Sequence, residues 1–215
     1  MGSLAWAVLV ALAANRPKEC QLRILGLDPG LNHTGWGVIE EKDNHFCHIA
    51  SGVLDVPAGE LSVRLGTITR FVQGIIRTHM PQHVAVEKVF VNLNAQSTLR
   101  LSQARAASLI GADLEGLSVA EYTPSEIKQA VTGNGAADKL MIQKMVAMLL
   151  NTPEEALRAD QADALACAIC YANTHKMQAY EHQGGTQRAY ATARHGRTGR
   201  ASRQAWTQEL LRKGK

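Results

Sequence analysis

The 215-residue sequence lacks two features that would each point to a class of protein. No apolar run reaches the ~18 residues that a membrane-spanning helix needs. The four cysteines, Cys20, Cys47, Cys167 and Cys170, do not have the spacing of a disulfide framework, so a reducing, cytoplasmic location is expected. Cys167 and Cys170 lie in an apolar helical pattern, which indicates small core residues. The length then predicts one globular domain of roughly 150 to 175 residues with appendages.

Positive charge is concentrated at one end of the chain. Residues 176–215 hold 9 Lys and Arg against 2 acids, a net charge of +7, whereas residues 1–175 hold 14 against 17, a net charge of −3. A basic tail of this kind binds polyanions, either nucleic acid or an acidic membrane surface. The alternative is a solvated end that only improves solubility.

The first residues do not continue the pattern of the folded domain. The apolar run at 4–14 has no Lys or Arg before it, which argues against an export signal and favours a non-structural extension. Beyond residue 176 the hydrophobic periodicity is lost, so we expect disorder there. We therefore predict an extension over 1–21, a folded domain over 22–175 and a basic tail over 176–215.

Strand and helix patterns alternate in the folded domain. Short connections join the first three predicted strands, which implies an antiparallel meander. A long amphipathic helix precedes the fourth strand, so a right-handed crossover should place that strand parallel to the first. The predicted fold class is α/β, with a mixed five-stranded sheet flanked by helices. Strands are predicted at 22–28, 34–40, 46–56, 83–87 and 117–122, and helices at 60–78, 94–115, 124–132, 136–150 and 158–174. Ser51-Gly52 interrupts the third strand, and the two glycines of the second strand, Gly35 and Gly37, leave room for another group to approach its backbone.

Carboxylates come at the ends of two predicted strands. Asp28 ends the first strand and Glu87 ends the fourth. If these strands are adjacent and parallel, both side chains lie at one sheet edge, where open α/β sheets bind ligands. Asp160 and Asp163 are three residues apart near the start of the last helix, so they share a face that would close over this edge.

Four clustered carboxylates repel one another unless a cation is present. Mg²⁺ prefers carboxylate oxygen and water, and two ions about 3.5 to 4 Å apart activate a water and stabilise the leaving oxygen of a phosphodiester. The predicted chemistry is hydrolysis of a nucleic-acid backbone with two Mg²⁺ ions, for which Mn²⁺ would substitute. Simpler roles exist for single residues, because Asp28 suits a turn and Asp160 suits a helix N-cap.

Short segments in a fixed order carry more information than any one of them. They are 25–30, 34–38, 86–90, 133–135 with Lys139, and 160–166. Together they resemble the RuvC-type Holliday junction resolvases, over about residues 23–175. The resemblance implies an RNase H-like fold and a homodimeric, Mg²⁺-dependent endonuclease that nicks a four-way DNA junction symmetrically in recombination and repair. It also implies a branch-migration motor as a partner.

The resemblance assigns roles to individual residues. Asp28, Glu87, Asp160 and Asp163 match the catalytic, metal-binding quartet of the family. Lys128 and Lys139 match basic residues near the scissile phosphate, and Phe90 matches an aromatic residue that stacks on bases at the crossover. The simpler interpretation is a solvated lysine in the first two cases and a core phenylalanine in the third. Met141 departs from the family, which often has glutamine there, so phosphate contacts on its helix are in doubt.

Other functions are compatible with parts of this pattern. A hybrid ribonuclease of the RNase H-like group would use the same acids and metals. A phosphotransferase of the actin and sugar-kinase type also ends its first strand in Asp-x-Gly, but it needs a second, similar half and the sequence contains no repeat. A junction-binding module without activity would tolerate the loss of an acid, and all four are present.

Overall fold

The computed structural model describes residues 22–42, 45–88 and 95–180. The predicted extension over 1–21, most of the predicted tail and Phe90 lie outside these residues. None of the helices in the described part is long and apolar enough to cross a membrane. The strands are β1 (Leu22–Asp28), β2 (His33–Lys42), β3 (His45–Asp55), β4 (His83–Glu87) and β5 (Val119–Tyr122). The helices are α1 (Leu61–His79), α2 (Ala95–Asp113), α3 (Pro124–Thr132), α4 (Lys139–Leu149) and α5 (Ala159–Tyr180).

The strands form a mixed sheet in the order β3-β2-β1-β4-β5. β1 to β3 pair as an antiparallel meander, and β4 is parallel to both β1 and β5. This is the predicted fold, including the adjacency of the first and fourth strands. Because β1 is central, both of its faces are covered, and Ile24 and Leu25 are fully buried.

Helices cover the two faces of the sheet. On one face Ile24, Ile39 and Ala85 pack in a core with Leu165 and Ile169 of α5. The opposite face packs against α1 and the end of α2, and its buried residues are Leu25, Leu27, Val38, Val72, Ile75, Ile76, Val84, Val86 and Ala112. Alternate side chains of β1 therefore point into different cores, and Asp28 follows the alternation of Ile24 toward the α5 face.

Most element boundaries lie within three residues of the predicted ones, and the main differences are in β3, α4 and α5. Ser51-Gly52 does not interrupt β3, because Gly52 makes room for the indole of Trp36, which a Cβ atom there would meet at 2.7 Å. α4 begins at Lys139 because the Asp138 carboxylate caps it by accepting from the Met141 amide (2.8 Å). α5 continues past the predicted end to Tyr180.

Cysteine burial and the start of α3 agree with the sequence-based interpretation. Cys167 and Cys170 are free thiols on the buried face of α5, and burial raises the pKa of both. At the start of α3 the Thr123 hydroxyl and the Glu126 carboxylate accept each other's backbone N–H and form a capping box, which agrees with the predicted helix start at residue 124. α3 thus starts directly after β5, at the sheet edge that carries the acids.

Candidate active site

Asp28 and Glu87 are held side by side by strand pairing. Leu27 of β1 is in register with Val86 of β4, so the next residue of each parallel strand lies at the same edge. The turn after β1 is closed by Thr34, whose hydroxyl donates to the Gly30 carbonyl (2.9 Å) and accepts from its amide (3.3 Å). Thr34 provides the turn contact, so the turn role considered for Asp28 is not needed to explain this local structure.

Glycines allow α5 to lie directly on β1 and β2. A Cβ atom at Gly35, which pairs with Asp28, would come within 2.1 Å of the Asp160 carbonyl oxygen. At Gly26 it would come within 1.9 Å of the Ala164 carbonyl. This close approach places the first turn of α5, with Asp160 and Asp163, over the end of β1. The sequence indicated room beside the second strand, but the role of Gly26 was missed.

The start of α5 is held by Gln161. Its side-chain oxygen accepts from the Arg158 amide (2.7 Å), which satisfies an N–H at the beginning of the helix. Its amide nitrogen donates to Ser51 of β3 (3.3 Å). Gln161 therefore makes the N-terminal capping contact that was considered for Asp160. Asp160 itself lies within the first turn of α5. Gln161 was not singled out from the sequence because one glutamine between two acids carries no pattern.

The electrostatics bring all four acids into one group. The pKa of Asp28 is raised to about 7, first by burial and then by the charges of Asp163, Glu87 and Asp160 in that order, while Lys139 opposes the shift. Burial and then the Asp163 charge also raise the pKa of Glu87, against Lys128 and Lys139. Asp163, Glu87 and Asp160 therefore lie close enough to Asp28 for their charges to act on it.

Lysines flank this carboxylate group. Lys139 Nζ lies 2.7 Å from Asp163 Oδ2, and this hydrogen bond raises the pKa of the lysine. Lys128 is close enough to lower the pKa of Glu87. A cleft of about 240 Å³ opens beside them, with Glu87, Lys128, Lys139 and Asp163 as its charged lining and Pro124, Ile127, Ile142 and Ala166 as its apolar lining. Asp28 and Asp160 lie beside this cleft rather than in its wall.

The chemistry of this site suits a hard divalent cation. Its donors are carboxylate oxygens. The pKa of Asp28 is raised because this carboxyl group is buried near other acids, and the positive charge of Lys139 does not offset them. Within the described ranges, no three His, Cys, Asp or Glu side chains are grouped closely enough to hold a metal as they stand. Asp163 faces Lys139 instead. The residue types and burial fit a metal site, and a cation at Asp163 would take the place of its contact with Lys139.

A mixed sheet with acids at the ends of adjacent strands and on a covering helix defines an RNase H-like nuclease architecture. The chain belongs to the RuvC family, since the family model for crossover junction endodeoxyribonuclease RuvC matches residues 24–171. The RuvC of Burkholderia lata is 50% identical over 152 residues, covering 71% of this chain and 84% of that protein. The Burkholderia vietnamiensis protein is 49% identical over 153 residues, with the same coverage.

Solved structures agree with this assignment. Thermus thermophilus RuvC in complex with Holliday junction substrate has a TM-score of 0.69 and 30% identity, and the match covers 73% of this chain and 96% of that one. The yeast mitochondrial Holliday junction resolvase Ydc2 has a TM-score of 0.56 over 78% of this chain and 84% of its own. With 11% identity, Ydc2 supports the fold alone.

Proposed function

We propose that this protein is a Mg²⁺-dependent endonuclease that resolves four-way DNA junctions by paired symmetric nicks, in recombination and repair. The observation that carries the proposal is the convergence of Asp28, Glu87, Asp160 and Asp163 at one sheet edge. Membership of the RuvC family supplies the class of reaction. A cytoplasmic location belongs to the same proposal, because the substrate is DNA.

In this mechanism the four acids would hold two Mg²⁺ ions, for which Mn²⁺ would substitute. When bound, the ions supply an activated water and stabilise the leaving oxygen of the phosphodiester. Lys128 and Lys139 line the cleft beside the acids and attract the scissile phosphate. Pro124, Ile127 and Ile142 limit the access of water to one side of that cleft. We assign Phe90, which lies outside the described residues, to stacking on bases at the crossover.

Homodimer formation is part of the proposal, because two symmetric nicks require two sites. Ala104, Ala107 and Ser108 of α2 are buried and pack inside the monomer, so they are not available to an interface. The Thr69 hydroxyl of α1 donates to the Ala107 carbonyl (3.0 Å), and a Cβ atom at Gly111 would lie 2.8 Å from the Thr69 carbonyl. Elsewhere on α2, Leu99 and Ile110 are more than half exposed and are available to a second copy.

Two further parts of the prediction extend the same function. A branch-migration motor is the proposed partner, because a resolvase needs the crossover moved to a site that it can cut. Residues 181–215 carry 8 Lys and Arg against 2 acids, which supports a contribution to DNA binding that does not depend on sequence. We therefore expect a protein truncated after Tyr180 to cut junctions with a smaller salt dependence of binding.

The direct test uses a synthetic mobile four-way junction with each strand labelled separately. In Mg²⁺ or Mn²⁺ we expect nicks at symmetric positions in two opposed strands, and no product in EDTA. A linear duplex of the same sequence and an RNA–DNA hybrid serve as matched substrates. Faster cutting of the hybrid than of the junction would replace the proposal with a hybrid ribonuclease. Junction binding without any cutting would indicate a binding module.

A further inference from the structure

Arg105 of α2 contacts the end of the strand that carries Glu87. Its side chain is 18% exposed, so it is largely buried for an arginine. Its Nε donates to the main-chain oxygen of Glu87 (3.3 Å), and its Nη2 lies 2.5 Å from Oε2 of Glu121 on β5. One guanidinium thus joins α2 to the last residue of β4 and to the neighbouring strand.

The Glu87 carbonyl needs a donor because the sheet ends there. Glu87 pairs with Tyr122, and the next amide, that of Lys88, donates to the Tyr122 carbonyl (2.7 Å). The Glu87 carbonyl belongs to the same trans peptide as the Lys88 amide, so it points the opposite way, toward β1. On β1 the residue after Asp28 is Pro29, which has no N–H to donate. A carbonyl at a partly buried strand end without a donor costs free energy and lets the strand end move. Arg105 supplies that donor.

The shape of the guanidinium matters for this contact. Arginine presents its N–H groups in a rigid, planar fork, so one side chain can hold a carbonyl and a carboxylate at a fixed angle. Lysine has a single charged nitrogen on a flexible stem and is able to keep only the ion pair. The hydrogen bond goes to the main-chain oxygen of Glu87. Arg105 therefore fixes the position of the Glu87 backbone and does not pair with the Glu87 carboxylate.

We propose that Arg105 is a positioning residue for the active site, which holds the end of β4 so that the Glu87 carboxylate stays aligned with Asp28. This inference rests on the proposed function, because Glu87 acts there as a metal ligand. Groups that orient metal ligands from behind typically change metal affinity or activity 10- to 100-fold, roughly, when they are removed. The alternative is that Arg105 and Glu121 form an ordinary ion pair between α2 and β5, which adds stability but does not position Glu87.

The chain provides a control for the loss of an arginine–glutamate ion pair. Arg77 makes a two-point contact with Glu115, through Nη2 to Oε1 (2.7 Å) and Nε to Oε2 (3.0 Å). This pair joins the last turn of α1 to the residues after α2, and neither side chain belongs to the acid group or the cleft. Arg77→Met therefore removes an arginine–glutamate pair without touching the support of Glu87.

The experiment compares the wild type with Arg105→Met, Arg105→Lys and Arg77→Met in the full chain. Binding of Mn²⁺ is measured by calorimetry without DNA, and kcat and KM are measured separately on the four-way junction. For Arg105→Met we expect Mn²⁺ affinity and kcat to fall about 10-fold or more, with KM changed less than threefold. Arg105→Lys should regain the thermal stability but not the Mn²⁺ affinity, and Arg77→Met should match the wild type in both measurements.

Each other outcome has a defined meaning. If Arg105→Lys restores metal affinity and kcat along with stability, or if Arg105→Met keeps both, the contact is an ordinary ion pair and the inference is wrong. Arg105→Lys decides the question if Arg105→Met does not fold. A wild-type protein that fails to cut the junction contradicts the proposed function instead. In that case the Mn²⁺ titrations of the same variants still test the role of Arg105.

Discussion

The two pairs of acids reach the same site by different physical means. Asp28 and Glu87 are placed by the register of two parallel strands, and burial in the sheet raises the pKa of both. Asp160 and Asp163 are placed by the packing of α5 on glycines, and Asp163 is paired with Lys139. Strand register is set by backbone hydrogen bonds, whereas helix docking depends on contact surfaces. The sheet pair should therefore respond mainly to changes of charge, and the helix pair both to loss of the Lys139 charge and to changes of volume under α5.

The largest effect is expected when the central sheet acid is neutralised. Asp28→Asn should reduce junction cleavage about a thousandfold or more, since metal catalysis is worth several kcal/mol and about 1.4 kcal/mol is tenfold in rate. Junction binding, measured by gel shift in EDTA, should remain, because the change removes no positive charge. Normal cleavage in Mg²⁺ by this variant would contradict the assignment of Asp28.

Removal of the cation beside the helix pair should come next. Lys139→Met should lower kcat about 100-fold, a typical loss when one group that stabilises developing charge is removed. Its effect on stability should be at most about 1 kcal/mol, because the lysine side chain is 59% exposed and its ion pair is screened by water. Lys144→Met on the same helix is the control for loss of charge, and an equal loss of kcat there would mean that Lys139 has no special role.

A change of volume under α5 should affect the helix pair without altering any charge. Gly35→Ala places a methyl group 2.1 Å from the Asp160 carbonyl, so the first turn of α5 must shift. A shift near 1 Å can cost about 100-fold in rate, and we expect cleavage to fall roughly 10- to 100-fold. Gly74→Ala is the matched control, since a Cβ atom there has no neighbour within 4 Å and the helix should gain up to about 1 kcal/mol. Unchanged cleavage by Gly35→Ala would argue against close docking as the basis of the site.

The smallest effect is a pH dependence that belongs to the sheet pair. The pKa of Asp28 is raised from 3.8 to about 7 on folding, so between these values the folded chain holds a proton that the unfolded chain has lost. In EDTA the free energy of unfolding should therefore fall progressively as pH rises from about 4 to 7, by about 2 to 4 kcal/mol in total because of Asp28. No further loss is expected above that range. Urea unfolding at several pH values measures the effect.

The control for this measurement is again Asp28→Asn, which has no proton to lose. It should be more stable than the wild type in EDTA at pH 8 and nearly equal to it at pH 4. Glu87 should leave a weaker dependence of the same sign in this variant, since its pKa is raised as well. Parallel pH profiles for the two proteins would show that Asp28 is not held in the buried, crowded state described here.

Much of the fold could be predicted because local patterns agreed with topological rules. The bounds of β1 and β4 were predicted correctly, since each strand is an apolar run ending in an acid. Their parallel pairing followed from the long helix between β3 and β4. The clustering of the four acids was predicted from this pairing together with helical spacing. The sequence indicates a break in β3 at Gly52. The strand is continuous there, and Gly52 leaves room for the Trp36 side chain.

Contacts between distant segments could not be predicted in the same way. The Lys139–Asp163 ion pair depends on how α4 meets α5, and the support of Glu87 by Arg105 depends on a side chain 18 residues away. Gln161 caps α5 and reaches Ser51, a contact across 110 residues. Arg105 and Gln161 belong to no periodic pattern, and the spacing that placed Asp163 and Glu87 carries no information about the side chains that contact them.

By itself, the sequence determined which residue types end the strands, the α/β order of the elements and the presence of four carboxylates that need a cation. These follow from hydrophobic periodicity, turn chemistry and charge, which act over short distances along the chain. Only the tertiary structure decided how closely α5 approaches the sheet, which acid Lys139 neutralises and what holds the end of β4. Those features come from packing and hydrogen bonds between segments far apart in the chain, and they appear only when the whole domain is assembled.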